Sequence, residues 1–197
     1  MTADTLPVAP DALAFARGGL LDPAGLDEGG LTRTLGTLLG HAVDYGDLYF
    51  QSSREEHWSL EDGIVKDGTY SVEQGVGVRA IAGERTGFAY SDEISAEALT
   101  EAARAARAIA DHGGTTGPRG FVVPASRALY TPVDPLATMA DADKVALLGR
   151  IDRETRAIDP RVRQVMASLA AVHEVVLVAA SDGAYAADVR PLTRVNV

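Results

Sequence analysis

The stretch QGVGVRAIAGERTGFAYSDE, residues 74–93, decides the fold. Apolar residues recur at every second position from Val76 to Ala82, which is the period of a β-strand with one buried face. Gly83-Glu84-Arg85 has the composition of a tight loop, and Phe88 and Tyr90 share one face of the strand that returns. The stretch therefore predicts an antiparallel hairpin.

Outward from this hairpin, residues 47–91 predict an antiparallel meander of about four strands. Glu61-Asp62-Gly63 and Lys66-Asp67-Gly68 both carry turn residues, so each is predicted to reverse the chain or to form a bulge. Gly75 and Gly77 do not fit a phosphate-binding loop, and we expect them to permit close backbone approach within a strand.

Helical periodicity appears before and after this meander. Leucines from Leu31 to Leu39 predict a short amphipathic helix that ends at Gly40. Ser95 is the predicted N-cap of a helix over 96–111, which Gly113-Gly114 would end. A second main helix is predicted over 140–158. Its expected buried side consists of Val145, Leu148, Ile151 and Ile158.

The final third of the chain predicts a second meander. Residues 162–180 are rich in apolar and β-branched side chains, Ser181-Asp182-Gly183 turns the chain, and residues 185–197 run back. Pro191 must lie at a sheet edge or a bulge, because proline has no N–H to donate. The fold class expected from these elements is α+β, with two antiparallel β-meanders packed with two main α-helices.

Composition bounds the function. The chain has 197 residues, a formal net charge of −10 and no cysteine. An acidic surface repels nucleic-acid phosphates and anionic lipids, and no apolar stretch is long enough for a membrane span. The absence of cysteine excludes disulfides and thiolate metal sites. We expect a cytoplasmic protein with no nucleic-acid or membrane partner.

No motif assigns a reaction to this chain. His173-Glu174 resembles the start of the zinc motif H-E-x-x-H, but Leu177 stands where the second histidine is needed and the local pattern is that of a strand. His41, His57 and His112 each stand alone. A carboxylate-based hydrolase would need two acids held across one cleft, and spacing alone cannot show this for the candidates. These candidates are Glu55, Glu56, Glu61, Asp62, Glu73, Asp92 and Glu93.

Long blocks of the sequence resemble the amino-terminal region of the TldD/PmbA metallopeptidase family, formerly described as modulators of DNA gyrase. They are residues 44–95 (DYGDLYFQ to SDEIS), 129–136 (LYTPVDPL), 162–169 (VRQVMASL) and 177–197 (LVAASDGAYAADVRPLTRVNV). The resemblance divides the chain into a variable segment 1–30 and a TldD-type amino-terminal domain 31–197.

The resemblance implies a cytosolic zinc peptidase that works as a TldD–TldE heterodimer on unfolded or short peptides. In the family, an H-E-x-x-x-H helix and a later cysteine bind the zinc, and both lie carboxy-terminal to the matched region. This sequence contains neither, so the metal-binding domain is expected to be absent. No residue here is assigned as catalytic, cofactor-binding or metal-ligating, and zinc is expected only in the full-length protein.

Two hypotheses follow from the sequence. The first is the amino-terminal part of a TldD-like peptidase, inactive by itself, whose partner is a TldE/PmbA-like subunit; the apolar alternation that runs to Val197 favours a truncated chain or an isolated domain. The second is a stand-alone, non-catalytic module that binds peptides or a partner subunit, with extended peptides held by strand addition.

Overall fold

The computed structural model describes residues 11–40, 43–110, 117–124 and 130–197. The chain forms two compact units, and both are built from several stretches of sequence. Unit 1 contains residues 1–52, 74–131 and 175–189, and unit 2 contains residues 53–73, 132–174 and 190–197. The division at residue 30 that the resemblance implies stays a prediction.

The described elements alternate between helices and strands in the following order. They are α1 (Ala12–Ala16), a π-helical turn (Arg17–Leu21), a 3-10 turn (Asp22–Ala24), α2 (Glu28–Leu39), β1 (Tyr45–Glu61), β2 (Ile64–Ala82), β3 (Arg85–Ser91), α3 (Ala96–Ala110), α4 (Asp141–Ile158), β4 (Met166–Ala180) and β5 (Tyr185–Asn196). No described helix has both the length and the apolar character needed to cross a bilayer.

One five-stranded sheet contains all five strands, in the order β3-β2-β1-β4-β5. The α+β class is confirmed, but the two predicted meanders are joined edge to edge in this sheet. They meet where β1 pairs with β4: the Ser181 amide donates to the Gly46 carbonyl at one end, and the Asp62 amide donates to the Val165 carbonyl at the other. Each meander thereby loses one of its edges.

Lys66-Asp67-Gly68 does not reverse the chain, so the first meander has three strands instead of the four predicted; the alternative of a bulge there stays a prediction. Of the two predicted sites 61–63 and 66–68, the chain reverses only at the first. Asp62 and Gly63 both have positive φ (49° and 76°), the conformation that a two-residue type I′ hairpin requires. Lys66, Asp67 and Gly68 continue as part of β2. Gly68 is needed there for a different reason, since a Cβ at this position would lie 2.8 Å from the Trp58 ring.

Unit 1 packs helices on its part of the sheet. Leucines of α2 and small residues of α3 bury against the alternating valines and alanines of β2, as the sequence predicted. Leu20 and Leu21, from the segment predicted to be variable, are buried in the same core. Ser95 caps α3, because its hydroxyl accepts a hydrogen bond from the Ala98 amide at 3.2 Å. The predicted stop at Gly113-Gly114 and His112 lie outside the described residues.

Unit 2 has a smaller core, formed by Leu60, Leu148, Ala167 and Leu169. The range of α4 and the burial of Leu148 agree with prediction, but Val145 and Ile151 are only partly buried and Ile158 is exposed. Ile158 is 83% exposed, and Lys144 and Asp152 are buried together with Leu148. These three residues recur at every fourth position and therefore lie on one face of the helix. A helical face can bury charged side chains when groups of opposite charge contact them.

Gly87 sets the distance between α3 and β3. A Cβ at Gly87 would lie 1.9 Å from the Ala106 carbonyl oxygen, so the helix backbone must move if any side chain is added. We expect Gly87→Ala to lower the free energy of unfolding of unit 1 by about 1 to 3 kcal/mol or more, the cost typical of overpacking. Urea unfolding followed by circular dichroism measures it.

Gly36→Ala is the matched control. Gly36 is an exposed position inside α2, and a Cβ added there would have no neighbouring atom within 4 Å. This substitution should raise the free energy of unfolding by about 0.5 to 1 kcal/mol, because alanine loses less backbone entropy than glycine in a helix. Equal stability of the Gly87→Ala and native proteins would contradict the close approach.

Candidate functional site

A group of polar side chains joined by ion pairs and hydrogen bonds lies in unit 2. We name this group the ionic cluster: Arg54, Glu56, Asp134, Asp141, Lys144 and His173. β1 supplies Arg54 and Glu56, α4 supplies Asp141 and Lys144, and β4 supplies His173. The remaining member, Asp134, comes from the connection that precedes α4. Long-range pairing of the strands therefore builds the cluster.

Lys144 is the centre of one half of the cluster. Only 3% of this residue is exposed, and its Nζ lies 2.7 Å from Oε1 and 2.8 Å from Oε2 of Glu56, itself 9% exposed. Nζ also donates to the Leu136 carbonyl at 3.2 Å and to Asp141 at 3.3 Å. Burial opposes the charged ammonium, but the hydrogen bonds that it donates to Glu56 and Asp141 outweigh burial, and the pKa of Lys144 is raised.

Glu56 has a second donor, because the Trp58 indole N–H also donates to its carboxylate. The buried negative charge is thus satisfied by an ammonium and an indole, which is the condition for keeping a carboxylate away from water. All three protons of the Lys144 ammonium have acceptors. A lysine so engaged has no proton or lone pair left for chemistry, and it serves to fasten α4 and the segment around Leu136 to β1.

Arg54 is the centre of the other half. Its Nη2 donates to Oδ2 of Asp134 at 2.8 Å and to Nδ1 of His173 at 3.0 Å. Because guanidinium can only donate, Nδ1 of His173 is the acceptor and the imidazole carries its proton on Nε2. Burial and the Arg54 charge lower the pKa of His173 against the opposing effect of Asp134.

Asp134 is held in its ionised form by the same contacts. Burial raises the pKa of Asp134. The hydrogen bond from the Leu136 amide, at 3.0 Å, and the Arg54 guanidinium lower this pKa by more than burial raises it, so the net direction is downward. The Pro132–Ala140 connection is therefore anchored twice, by Arg54 at Asp134 and by Lys144 at the Leu136 carbonyl. The ionic cluster therefore holds the segment over residues 132–140 in place.

The candidates from the sequence do not come together as a catalytic pair. Glu55, Glu73, Asp92 and Glu93 are exposed. Glu61 accepts from Gln164, Asp62 pairs with Arg156, and Glu56 faces Lys144. The partners of these last three carboxylates are an amide and two cations, whereas general acid–base catalysis by acids needs two carboxyl groups in one cleft.

The positions of the histidines show whether they could bind a zinc ion. His173 lies in a strand, as the local pattern predicted, and its Nδ1 is occupied by Arg54; His57 is exposed on β1. His41 and His112 lie outside the described residues. Within the described ranges, no three histidine, aspartate or glutamate side chains are grouped in a way that could hold a metal. The described residues therefore do not fit a catalytic zinc ion.

Sequence reasoning missed Arg54, Asp134 and Lys144. The sequence held a signal for two of these residues. Asp134 lies in the block LYTPVDPL, which carries the family resemblance. Lys144 stands four residues before Leu148, on the buried side of α4. Their partners on β1 are 80 and 88 residues away, so no local pattern could pair them.

Comparison with known proteins agrees with this architecture. Residues 46–110 match the family model "PmbA/TldA metallopeptidase domain 1", and residues 134–197 match the "PmbA/TldA metallopeptidase central domain". The chain is 43% identical over 180 residues to a metalloprotease TldD homolog of Haemophilus influenzae, which covers 90% of this chain. This chain belongs to the PmbA/TldD metallopeptidase family.

A second relative and one solved structure are also similar to this chain. A metalloprotease TldD homolog of Buchnera aphidicola is 43% identical over 157 residues, 80% of this chain. The crystal structure of TldE from Thermococcus kodakarensis has the same fold with a TM-score of 0.63, at 18% identity, and the match covers 85% of this chain and 37% of that one. The chain spans about a third of the length of the two TldD homologs, 37% and 32%.

Loss of one partner of the buried pair Lys144–Glu56 should strongly destabilise unit 2. Lys144→Met leaves the Glu56 carboxylate buried without its ammonium, and we expect a loss of about 3 to 5 kcal/mol in the free energy of unfolding. Arg150→Ala removes an exposed ion pair with Glu154 on the same helix and should cost no more than about 0.5 kcal/mol. Urea unfolding of both variants makes the comparison, and equal losses would refute a buried role for Lys144.

His173 should make unit 2 sensitive to mild acid. Its folded pKa lies below the ordinary value of 6.5, so stability is fully present above pH 6.5 and is lost as pH falls from there through the folded pKa. Asp134 acts in a separate window, because its lowered pKa removes stability only below about pH 4. We expect His173→Asn, which keeps an acceptor for Arg54, to reduce the change in the midpoint of thermal unfolding between pH 7 and pH 5.

His57→Asn is the control for this titration. His57 is exposed on the same strand as Arg54 and lies outside the ionic cluster, so its substitution should leave the free energy of unfolding at pH 7 nearly unchanged. A His173→Asn protein that still loses stability as steeply as the native protein over that range would show that another group titrates.

Proposed function

We propose that this chain forms the amino-terminal part of a TldD-type zinc metallopeptidase that acts on unfolded or short peptides, and that it is not catalytic by itself. The observation that carries the proposal is the 43% identity to the TldD homolog of Haemophilus influenzae over 180 residues. The part of that protein outside the match would hold the zinc and the base that activates water.

The ionic cluster supports a structural contribution. Arg54 and the buried Lys144 hold the connection over residues 132–140 on unit 2, and the three ammonium protons of Lys144 are already used within the chain. The proposed contribution is a rigid β-rich wall beside the chamber where peptides are cleaved. A PmbA/TldE-like subunit is the proposed partner, and the cytoplasm is the proposed compartment.

The first test measures zinc and hydrolysis with the same samples. We expect the purified chain to hold no stoichiometric zinc by elemental analysis and to leave a fluorogenic unstructured peptide uncleaved. Adding a polypeptide that corresponds to the remaining part of a TldD homolog, together with a PmbA-type subunit, should produce cleavage that a chelator abolishes. Zinc-dependent turnover by the chain alone would refute the proposal.

A stand-alone module that binds peptides or a partner subunit is the second candidate. The observation that favours it is the long exposed part of β2, where every residue from Ile64 to Gln74 is accessible to solvent. This candidate predicts peptide or subunit binding with no gain of hydrolysis in the reconstitution above. The two candidate functions therefore predict different results in the same reconstitution experiment.

A further inference from the structure

The Arg54 half of the ionic cluster depends on one proton. Nη2 of Arg54 directs one N–H at Oδ2 of Asp134, 2.8 Å away, and the other at Nδ1 of His173, 3.0 Å away. Both hydrogens of this nitrogen are therefore used while the imidazole is neutral. Only 2% of His173 is exposed, so the side chains around it must accommodate any change in its protonation.

Protonation of His173 removes its contact with Arg54. Nδ1 then carries a hydrogen and has no lone pair left to accept the bond from Nη2. The imidazolium and the guanidinium would also bring two positive charges together across the 3.0 Å contact, in a site that is partly shielded from water. One of the two side chains must therefore move when His173 gains a proton.

Arg54 is the side chain with room to move. It is 37% exposed and can turn to solvent, whereas His173 is buried within β4. Since the two N–H bonds of one planar nitrogen diverge by about 120°, Oδ2 of Asp134 and Nδ1 of His173 are about 5 Å apart. A displacement of about 2 Å therefore brings the carboxylate within hydrogen-bond distance of a protonated Nδ1.

We propose that unit 2 contains a pH switch in which His173, on gaining a proton, takes Asp134 from Arg54. In the neutral form the carboxylate binds the guanidinium of β1. In the protonated form it accepts Nδ1–H of the imidazolium on β4, and the guanidinium turns to solvent. The proton comes from solvent and returns to it when the pH rises, so the exchange is reversible.

The switch acts on the segment that leads into α4. Asp134 is the first residue of the match to the family's central domain. Lys144 holds the Leu136 carbonyl at 3.2 Å, and its raised pKa keeps the ammonium charged in acid as well as at neutral pH. The connection over residues 132–140 therefore stays in place, while the strand that holds Asp134 changes from β1 to β4.

Charged groups on the neighbouring elements of unit 2 have partners of their own. On α4, Lys144 binds Asp141 and also Glu56 of β1. On β5, Arg190 binds Glu174, which lies on the opposite face of β4 from the histidine because successive residues of a strand alternate. The charged groups that act on the histidine are therefore those of the switch itself, one guanidinium and one carboxylate.

The exchange belongs to mild acid. Burial lowers the pKa of His173 from its ordinary value of 6.5, Asp134 opposes this effect, and Arg54 adds to it. The pKa of Asp134 is also lowered, so its carboxylate is still ionised when the imidazole becomes charged. The switch therefore operates below pH 6.5 and above the pH at which Asp134 is neutralised.

Nitrogen-15 NMR of the native chain between pH 7 and pH 5 tests the exchange. Imidazole shifts show which nitrogen of His173 carries a proton, and His173→Asn assigns these signals by removing them. A guanidinium that is held gives separate Nη signals, which merge when it rotates freely. We expect Nδ1 to gain a proton and the Arg54 signals to merge with the same midpoint.

Arg79 is the internal control, because its guanidinium is bound by Asp47 in unit 1 and has no contact with the switch. Its Nη signals should stay separate over the same pH range. Arg54 signals that stay separate while His173 is protonated overturn the proposal. A His173 that stays neutral until unit 2 unfolds overturns it too.

Two variants test which charges govern the midpoint of His173 protonation. Asp134→Asn removes the charge that receives the imidazolium and should lower the midpoint by about one pH unit or more, a tenfold loss of proton affinity. Arg54→Gln keeps a donor for Nδ1 without the positive charge and should raise the midpoint. His57→Asn, on the same strand but outside the ionic cluster, should leave it unchanged. Circular dichroism confirms that each variant is folded, and a midpoint unaffected by Asp134→Asn overturns the proposal.

Discussion

The structure depends on the pairing of β1 with β4. These strands come from the two regions that match separate family domains, residues 46–110 and 134–197, and they lie side by side at the centre of the sheet. Hydrogen bonds fix the pairing at both ends: Gly46 exchanges bonds with Ser181, and Asp62 binds Val165. A one-residue slip would turn every side chain of β4 to the opposite face of the sheet. The same register places His173 beside Arg54, so the ionic cluster exists only because the central pairing is correct.

Burial of charge in unit 2 follows from its size. The core of unit 2 has four fully buried residues: Leu60, Leu148, Ala167 and Leu169. This small core leaves much of α4 without apolar partners. On α4, Lys144 and Asp152 are buried one turn before and one turn after Leu148. Each buried ion has a partner of opposite charge, Glu56 for Lys144 and Arg156 for Asp152. Such pairs add little net stability compared with an apolar core, but loss of one partner is costly, which makes them effective at selecting one arrangement. Unit 2 thereby gains a defined position for the Pro132–Ala140 connection.

Sequence reasoning succeeded where the signal is local. The alternation from Val76 to Ala82, the Ser95 cap and the Asp62-Gly63 turn each depend on a few neighbouring residues, and the structure confirms all three. It failed where tertiary contacts override a local pattern. Lys66-Asp67-Gly68 has turn composition, yet these residues continue strand β2, with Gly68 close to the Trp58 ring. Ile158 fits an apolar stripe by its spacing, yet it is exposed, whereas Lys144 is buried on the same helix. Apart from the Asp141–Lys144 pair, the contacts of the ionic cluster join residues 80 to 119 positions apart, beyond any spacing rule.

The distribution of polarity within unit 2 bears on where function lies. Its interior holds a lysine, a glutamate, an aspartate and a histidine, while its open strand exposes an isoleucine, a tyrosine and a valine. An isolated domain selected only for stability and solubility would tend toward the opposite arrangement, since exposed apolar edge strands invite association and buried ions need well-placed partners. The interior ions are explained by the segment they anchor. The apolar edge has no such explanation inside the described chain, because every residue from Ile64 to Glu73 stays exposed to solvent. The most informative surface of this chain is therefore its open strand, where backbone groups and apolar side chains are presented together.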